Sequence, residues 1–483
     1  MDNKYYLVSG AATAIETVGV YTNQGVYRTL LHVFRKVFGS IYSISLDSSI
    51  THLVFGSIHR RVNMILSRQY RSKQMALDSL ERYLTMIQIK TEKKLQKQGI
   101  VYNDWTFSSE NRKTIRRIFQ FVDENTGFIK EIPIISKYLC IGKYICLQES
   151  YRRNLEKTGV INVPDNICLN EMAMFSRHAT GIYGHYLGWI SFRKFLRSYM
   201  TGKTNEEVHI SHSRIQKTDL LYYSGESKKY LPLFAIVKID ENCIAIVIRG
   251  TLSVFDAISD LKGNYNDIRV GSVKGKVHNG IHKSALKVSE LVKNFLKSYP
   301  ELGSINKICI TGHSLGAGCG GLLHLITKSD QFYSKFSVRS YLFAPPPVMS
   351  SELNNLIKKD AFSCVNSNDI VPRLSFGTIK DLCDAITTIY TEGAKKVTDF
   401  KLILPKLVNE KLEIPGSVLQ IFKKTENFTC RLSEIQFESD LYCGSFISDS
   451  FCEEIIFSMS SVHDHKATRY QKGLESLAST QNI

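Results

Sequence analysis

Residues 307–320 read KICITGHSLGAGCG. The first half is apolar and rich in β-branched side chains, with Ile308, Ile310 and Thr311 marking a strand. The second half is small and apolar and continues as a helix through Ala317 to Ile326. Between them, Gly312-His313-Ser314-Leu315-Gly316 fits the pattern G-x-S-x-G. A chain that passes from strand to helix in so few residues puts Ser314 at a strained apex. Glycines on either side remove Cβ atoms that would otherwise collide there. The helix start also aims backbone N–H groups at the space in front of the serine hydroxyl, where an oxyanion would form. Gly312, His313 and Gly316 are therefore read as a nucleophile elbow, with Ser314 as the nucleophile.

Strand and helix patterns alternate on both sides of this turn. PLFAIVKI (232–239) and CIAIVIRG (243–250) predict a hairpin, and HKSALKVSELVKNFLKSY (282–299) an amphipathic helix. VRSYLFAP (338–345) and AFSCVNS (361–367) predict two more strands, with late strands at SVLQIF (417–422) and EEIIFSM (453–459). Glu171 to Met200 predicts one or two helices broken near Gly181 and Gly184. Strands alternating with helices predict an α/β fold with a mostly parallel sheet covered on both faces, here of the α/β-hydrolase kind. The catalytic-looking part is placed at 165–483, with 1–164 as a separate helical region.

A serine nucleophile needs a base and an acid to orient it, in the chain order Ser, Asp/Glu, His for this fold. The only histidines after the elbow helix are His463 and His465, in SVHDHKATRY (461–470), and position alone leaves both open. Asp369 lies in VNSNDIVPRL directly after a predicted strand, where a loop acid belongs, and Pro372 stiffens the loop behind it. The other acid candidates are Asp360, at a helix end, and Asp381 and Asp384, which fall in a predicted helix where a solvated face is the simpler role. One oxyanion donor is the backbone N–H of Leu315. A second is sought in the turn Gly250-Thr251-Leu252 after CIAIVIR, with Thr251 as donor and Asp256 and Asp260 bracing the loop.

RGTLSVFDAISDL (249–261), GHSLGAG, NDIVPRL and the late D-H-x-x-x-x-Y of Asp464, His465 and Tyr470 together resemble class 3 lipases, and within them the sn-1-specific diacylglycerol lipases. VHNGIHKSA (277–285), LEIPGSVLQIF (412–422) and FCEEIIFSMSSVHDH (451–465) extend the resemblance over about 165–475. The resemblance implies His465, of the D-H pair, as the base. It implies hydrolysis of a glycerolipid acyl ester, with diacylglycerol going to monoacylglycerol and fatty acid. Triacylglycerol lipase and phospholipase A1 are alternatives on the same fold, because the triad does not set head-group choice. A silent lipid-binding scaffold is a further alternative. No metal site or organic cofactor is required, although the resemblance leaves room for calcium sensitivity without any D-x-D-x-D-G run. Animal members of the family carry four membrane-spanning helices ahead of the catalytic domain. No apolar run here approaches the roughly 18–20 residues of a span, so the resemblance is to a soluble type. Ile414-Pro415 stands where the family has Pro-Pro.

The 95 residues between Asp369 and His465 leave room for a cap or regulatory insert around 376–450, or for a plain extension of the sheet. Leu382, Ile386 and Ile389 fall on one face of a predicted helix there.

The 483 residues are 43% hydrophobic and 22% charged, which excludes a mainly disordered or fibrous chain. The eleven cysteines are scattered without CxxC pairs, which argues against zinc. With no basic-then-apolar signal at the N-terminus, they predict reduced thiols in the cytoplasm. The net charge is +17, and residues 51–100 hold ten Lys and Arg against three acids. Such an excess seeks a polyanion. No helix-turn-helix, RRM or zinc-finger pattern supports nucleic acid. The expected partner is a peripheral membrane or lipid-droplet surface, met by a basic, amphipathic N-terminal region with helices such as the one predicted over 62–95.

Overall fold

The computed structural model describes residues 160–185, 204–251, 265–424, 435–448, 454–456 and 461–480, apart from a few positions within them, together with Ile132 and most of 140–148. The predicted helical region 1–164 lies outside the described residues except for the last of these segments and 160–164. Asp256 and Asp260 lie outside them as well.

The described strands are β1 Leu220–Tyr223, β2 Phe234–Asp240, β3 Cys243–Ile248, β4 Tyr265–Val270, β5 Val273–His278, β6 Lys307–His313, β7 Ser337–Phe343, β8 Ala361–Asn366, β9 Ser417–Lys423, β10 Phe437–Glu438 and β11 Tyr442–Ile447. The long helices are α1 Leu169–Gly181, α2 Asn205–Ser213, α3 Asn279–Ser298, α4 Leu315–Thr327, α5 Phe376–Glu392 and α6 Ala467–Ser479.

Nine strands form one sheet in the order β1-β2-β3-β6-β7-β8-β9-β11-β10. The five central strands, β3 to β9 in that order, run parallel. Antiparallel pairs finish both edges, including the β2–β3 hairpin expected from the sequence. β4 and β5 form a separate two-stranded sheet, and β5 also makes an isolated bridge from Val277 to Met349. This is the α/β-hydrolase arrangement predicted from the alternating pattern. Its central strands are largely buried because both faces are covered. All six residues of β3 are buried.

The period of two divides the core in half. Ile246, Ile308 and Ile310 face one cluster, which also takes Ile281, Ala285, Val288, Val292 and Leu296, the apolar stripe of α3. Cys309, Tyr341 and Phe362 face the other, against Met172 and Phe175 of α1 and Leu474 and Leu477 of α6. α1 and α6 are joined at the rim by Arg177 to Glu475 at 2.6 Å.

Some elements depart from the sequence reading. Glu454, Ile455 and Ile456, expected in a late strand, have no strand structure, although both isoleucines are buried. The Ile455 carbonyl accepts from the Gln148 side chain at 2.9 Å, which satisfies it without a ladder. Among the described residues, the last strands of the sheet are β10 and β11. A short apolar run marks burial, and here burial is met by a loop. α5 forms where a helix is expected, and its stripe Ile379, Leu382, Ile386 and Ile389 is fully covered by the core. Contacts also cross the expected boundary at 164/165. Ile161 N–H donates to the Phe446 carbonyl of β11 at 3.1 Å, and Tyr144 packs edge-on against Phe400.

Candidate active site

In a parallel sheet the loops at the carboxyl ends of the strands lie side by side, and here three of them converge. Ser314 follows β6, the Asp369 loop follows β8, and Gly250-Thr251 follows β3. Ser314 has φ 60° and ψ −130°, the left-handed region that side-chain-bearing residues seldom enter. The turn is held by the Ser314 N–H donating to the Phe343 carbonyl of β7 at 2.8 Å.

The serine hydroxyl lies 2.9 Å from His465 Nε2. His465 Nδ1 lies 3.0 and 2.9 Å from the two oxygens of Asp369. A carboxylate only accepts, so Nδ1 carries the proton and Nε2 presents a lone pair to the serine. All three side chains are buried, Asp369 completely. The carboxylate is further held by the Tyr470 hydroxyl at 2.5 Å and the Val371 N–H at 2.9 Å. The same Tyr470 oxygen accepts from the Asn366 N–H at 3.0 Å. Burial and the Asp369 charge push the Tyr470 hydroxyl well up from its usual value, which keeps it a donor.

Asp464 fastens the base loop to the acid loop. Its carboxylate accepts from the Asn368 N–H at 3.2 Å and from Arg469 at 2.8 Å, and its carbonyl accepts from the Asn366 side chain at 3.0 Å. His463, the other candidate base, places Nδ1 3.0 Å from Lys466 Nζ. The alternative acids are engaged elsewhere. Asp360 pairs with Lys328 at 3.3 Å, and Asp384 accepts from Asn409 at 2.8 Å. Asp381 departs from the solvated face expected for it. It is buried and pairs with Lys411 at 2.7 Å, since a helical carboxylate turned inward must find a cation or N–H donors.

His313 does more than fill the elbow. Its Nε2 lies 2.7 Å from the His465 carbonyl and its Nδ1 2.9 Å from the Tyr183 hydroxyl. The carbonyl can only accept, so His313 donates through Nε2 and accepts from Tyr183 through Nδ1. Burial, and then the neighbouring His465, hold the His313 imidazole well below its ordinary value, so it stays neutral in this role. Tyr183 carries no signal of this role in the sequence. It lies 130 residues before its partner, in a turn after α1.

The oxyanion candidates sit close to Ser314. Leu315 opens α4, so its N–H has no acceptor within the helix. A Cβ on Gly250 would meet the His313 carbonyl, the Tyr183 hydroxyl and Ser314 Cβ, so the β3 turn passes directly against the elbow. A Cβ on Gly316 would meet the Ile248 carbonyl from the other side. Thr251 follows at the half-buried edge of this contact. Among the described residues no group of three or more His, Cys, Asp or Glu is placed to hold a metal ion. No helix among them is long and apolar enough to cross a membrane.

The class 3 lipase family, Lipase (class 3), matches residues 245–378, from within β3 to the first turn of α5. Mouse (Mus musculus) diacylglycerol lipase-beta is 28% identical over 174 residues, 35% of this chain and 25% of that protein. Human (Homo sapiens) diacylglycerol lipase-alpha is 26% identical over 322 residues, 57% of this chain and 30% of that protein. The matches thus span a third or less of these relatives' length. A solved triacylglycerol lipase, described as having a serine protease triad at its catalytic centre, is 19% identical with a TM-score of 0.40. That likeness covers 62% of this chain and 92% of the other.

Proposed function

We propose that this class 3 lipase domain is a serine hydrolase that cleaves the acyl esters of glycerolipids, with the sn-1 ester of diacylglycerol as its substrate. The observation that carries the reading is the buried chain from Ser314 through His465 to Asp369, with links of 2.9, 2.9 and 3.0 Å, mounted on a strained elbow. The named relatives supply the substrate class.

Ser314 Oγ attacks the ester carbonyl while His465 Nε2 takes its proton. Asp369 holds the imidazole in the required tautomer and stabilises the imidazolium. It is itself held by Tyr470 and the Val371 N–H, so it reorganises little during the reaction. The N–H groups of Leu315 and Thr251 receive the oxyanion, and removing one such donor costs roughly 10²–10³ in rate. His465 then protonates the leaving glycerol oxygen, and water repeats the sequence on the acyl-enzyme. His313 acts through the base loop. By bonding the His465 carbonyl, it fixes the height of the imidazole above the serine. The setting proposed is the surface of a cytoplasmic membrane or lipid droplet.

The test is hydrolysis of sn-1,2-diacylglycerol, triacylglycerol and phosphatidylcholine by the wild type and by Ser314→Ala, with labelling by a fluorophosphonate. Diacylglycerol preference that Ser314→Ala abolishes, with loss of labelling, supports the reading. Preference for triacylglycerol or phosphatidylcholine moves the substrate and keeps the chemistry. An unlabelled wild type that hydrolyses none of them leaves a lipid-binding scaffold.

A further inference from the structure

A cationic cluster gathers at the rim of this site. β1 and β2 are joined through a turn in which Lys228 and Leu231 exchange backbone hydrogen bonds of 2.8 and 2.9 Å, leaving Lys229 and Tyr230 at the tip. Tyr230 has φ 58°, a conformation side-chain-bearing residues seldom adopt, and 40% of it is exposed. Three ammonium groups surround its ring. Lys229, Lys283 and Lys287 place Nζ 5.4, 5.8 and 5.7 Å from the ring centre.

Lys283 and Lys287 lie one turn apart on α3, with Leu286, 47% exposed, on the adjoining face. Several other lysines of the fold pair with acids. Lys293 pairs with Asp330 and Lys276 with Glu410 at 2.7 Å, and Lys307 with Glu171 at 3.0 Å. Among the described residues, none of the three lysines around Tyr230 forms an ion pair. Like charges collected without a counter-charge repel one another and are relieved by an external anion.

The turn is also fixed to the catalytic rim. Ser227, two residues before Lys229, accepts from Arg249 at 2.9 Å, and Arg249 leads directly into Gly250-Thr251. An exposed tyrosine ringed by lysines suits a bilayer interface, where an amphipathic ring sits at headgroup depth and ammonium groups meet phosphates.

We propose that Tyr230, Lys229, Lys283 and Lys287 form a docking surface for the phosphate-bearing headgroups of an anionic bilayer, which brings the lipid interface against the oxyanion turn. This rests on the reading above that the substrate is a lipid ester. The test measures flotation of the full chain carrying Ser314→Ala with vesicles of phosphatidylcholine, and of phosphatidylcholine doped with phosphatidylserine. Lys229→Glu/Lys283→Glu/Lys287→Glu is added on the same background.

A lysine near an anionic leaflet is worth about fivefold in partitioning, so losing three predicts about a hundredfold, and reversing their charge to glutamate makes the expected loss on the doped vesicles at least that large. Partitioning of the parent chain should fall as salt is raised. Undiminished partitioning of the triple variant, or no preference of the parent chain for the doped vesicles, overturns the proposal. So does retention on a DNA duplex that the three substitutions abolish, since it would assign the surface to nucleic acid. With Ser314 intact, the triple variant should hydrolyse a soluble short-chain ester at the parental rate, which shows that it folds. A parent chain that floats with doped vesicles yet hydrolyses no ester would sink the hydrolase reading and leave the docking surface standing.

Discussion

Replacing Tyr470 by Phe removes one oxygen from a site where that oxygen does two jobs. The side chain is fully buried, its hydroxyl donates to Asp369 at 2.5 Å, and the same atom accepts from the Asn366 N–H at 3.0 Å. Deletion leaves the carboxylate with His465 and the Val371 N–H, and it leaves the Asn366 amide without this acceptor. A hydrogen bond to a charged group contributes about 1.5–3 kcal/mol, and stranding a buried donor costs about 1–3 kcal/mol. The two share an atom and do not add fully, so the expected loss of stability is about 3 kcal/mol. Urea unfolding checks this. The midpoint should fall at an unchanged slope, because the surface exposed on unfolding is the same. The carboxylate also loses a fixed orientation. If half of that energy is felt in the transition state, kcat/KM on a soluble ester falls about tenfold. A stability change within about 0.5 kcal/mol, the range of a neutral surface substitution, would refute the reasoning.

Three further outcomes follow from the same geometry. Asp369→Asn keeps the shape but presents an amide donor toward His465 Nδ1, which favours the wrong tautomer, and kcat should fall about 10⁴-fold, as in other Ser-His-Asp triads. Gly250→Ala drives a methyl into the His313 carbonyl and Ser314 Cβ, so esterase activity should drop at least 10²-fold, the cost of a displaced oxyanion donor, while circular dichroism stays native. His209 is fully buried, and burial holds its pKa down at about 3. Unfolding frees it to take a proton below its ordinary value of about 6.5, so it destabilises the fold progressively between about pH 6.5 and 3 and has no such effect above that window. His209→Phe should therefore flatten the acid side of the stability–pH curve, and an unchanged slope in unfolding measured from pH 7 to pH 5 would count against it.

Sequence alone reached the parts of this protein that are written locally or by elimination. A strand, a glycine-flanked serine and the start of a small-residue helix occupy fourteen consecutive residues, so the elbow needs no long-range information. Asp369, which the sequence places after a strand, and His465, one of two late histidines in a resembling motif, are brought together with Ser314 in the structure. The alternation of apolar-rich strands with amphipathic helices pointed to the parallel sheet, because burial on both faces favours largely apolar strands.

Tertiary structure decided whatever depends on groups far apart in the chain. Tyr183 meets His313 across 130 residues, and His313 meets the His465 carbonyl across 152. Neither contact has a periodicity to read. Asp381 is an ordinary helical aspartate until packing turns it inward toward Lys411. Ile455 and Ile456 look like strand residues until a glutamine from far upstream caps the loop they occupy. The three lysines around Tyr230 are scattered among the chain's sixty-two Lys and Arg, and only the packing of the β1–β2 turn against α3 gathers their charge at one edge of the site. Backbone chemistry is local and repeats along the chain. Side-chain pairing is set by three-dimensional proximity, and the sequence does not state proximity.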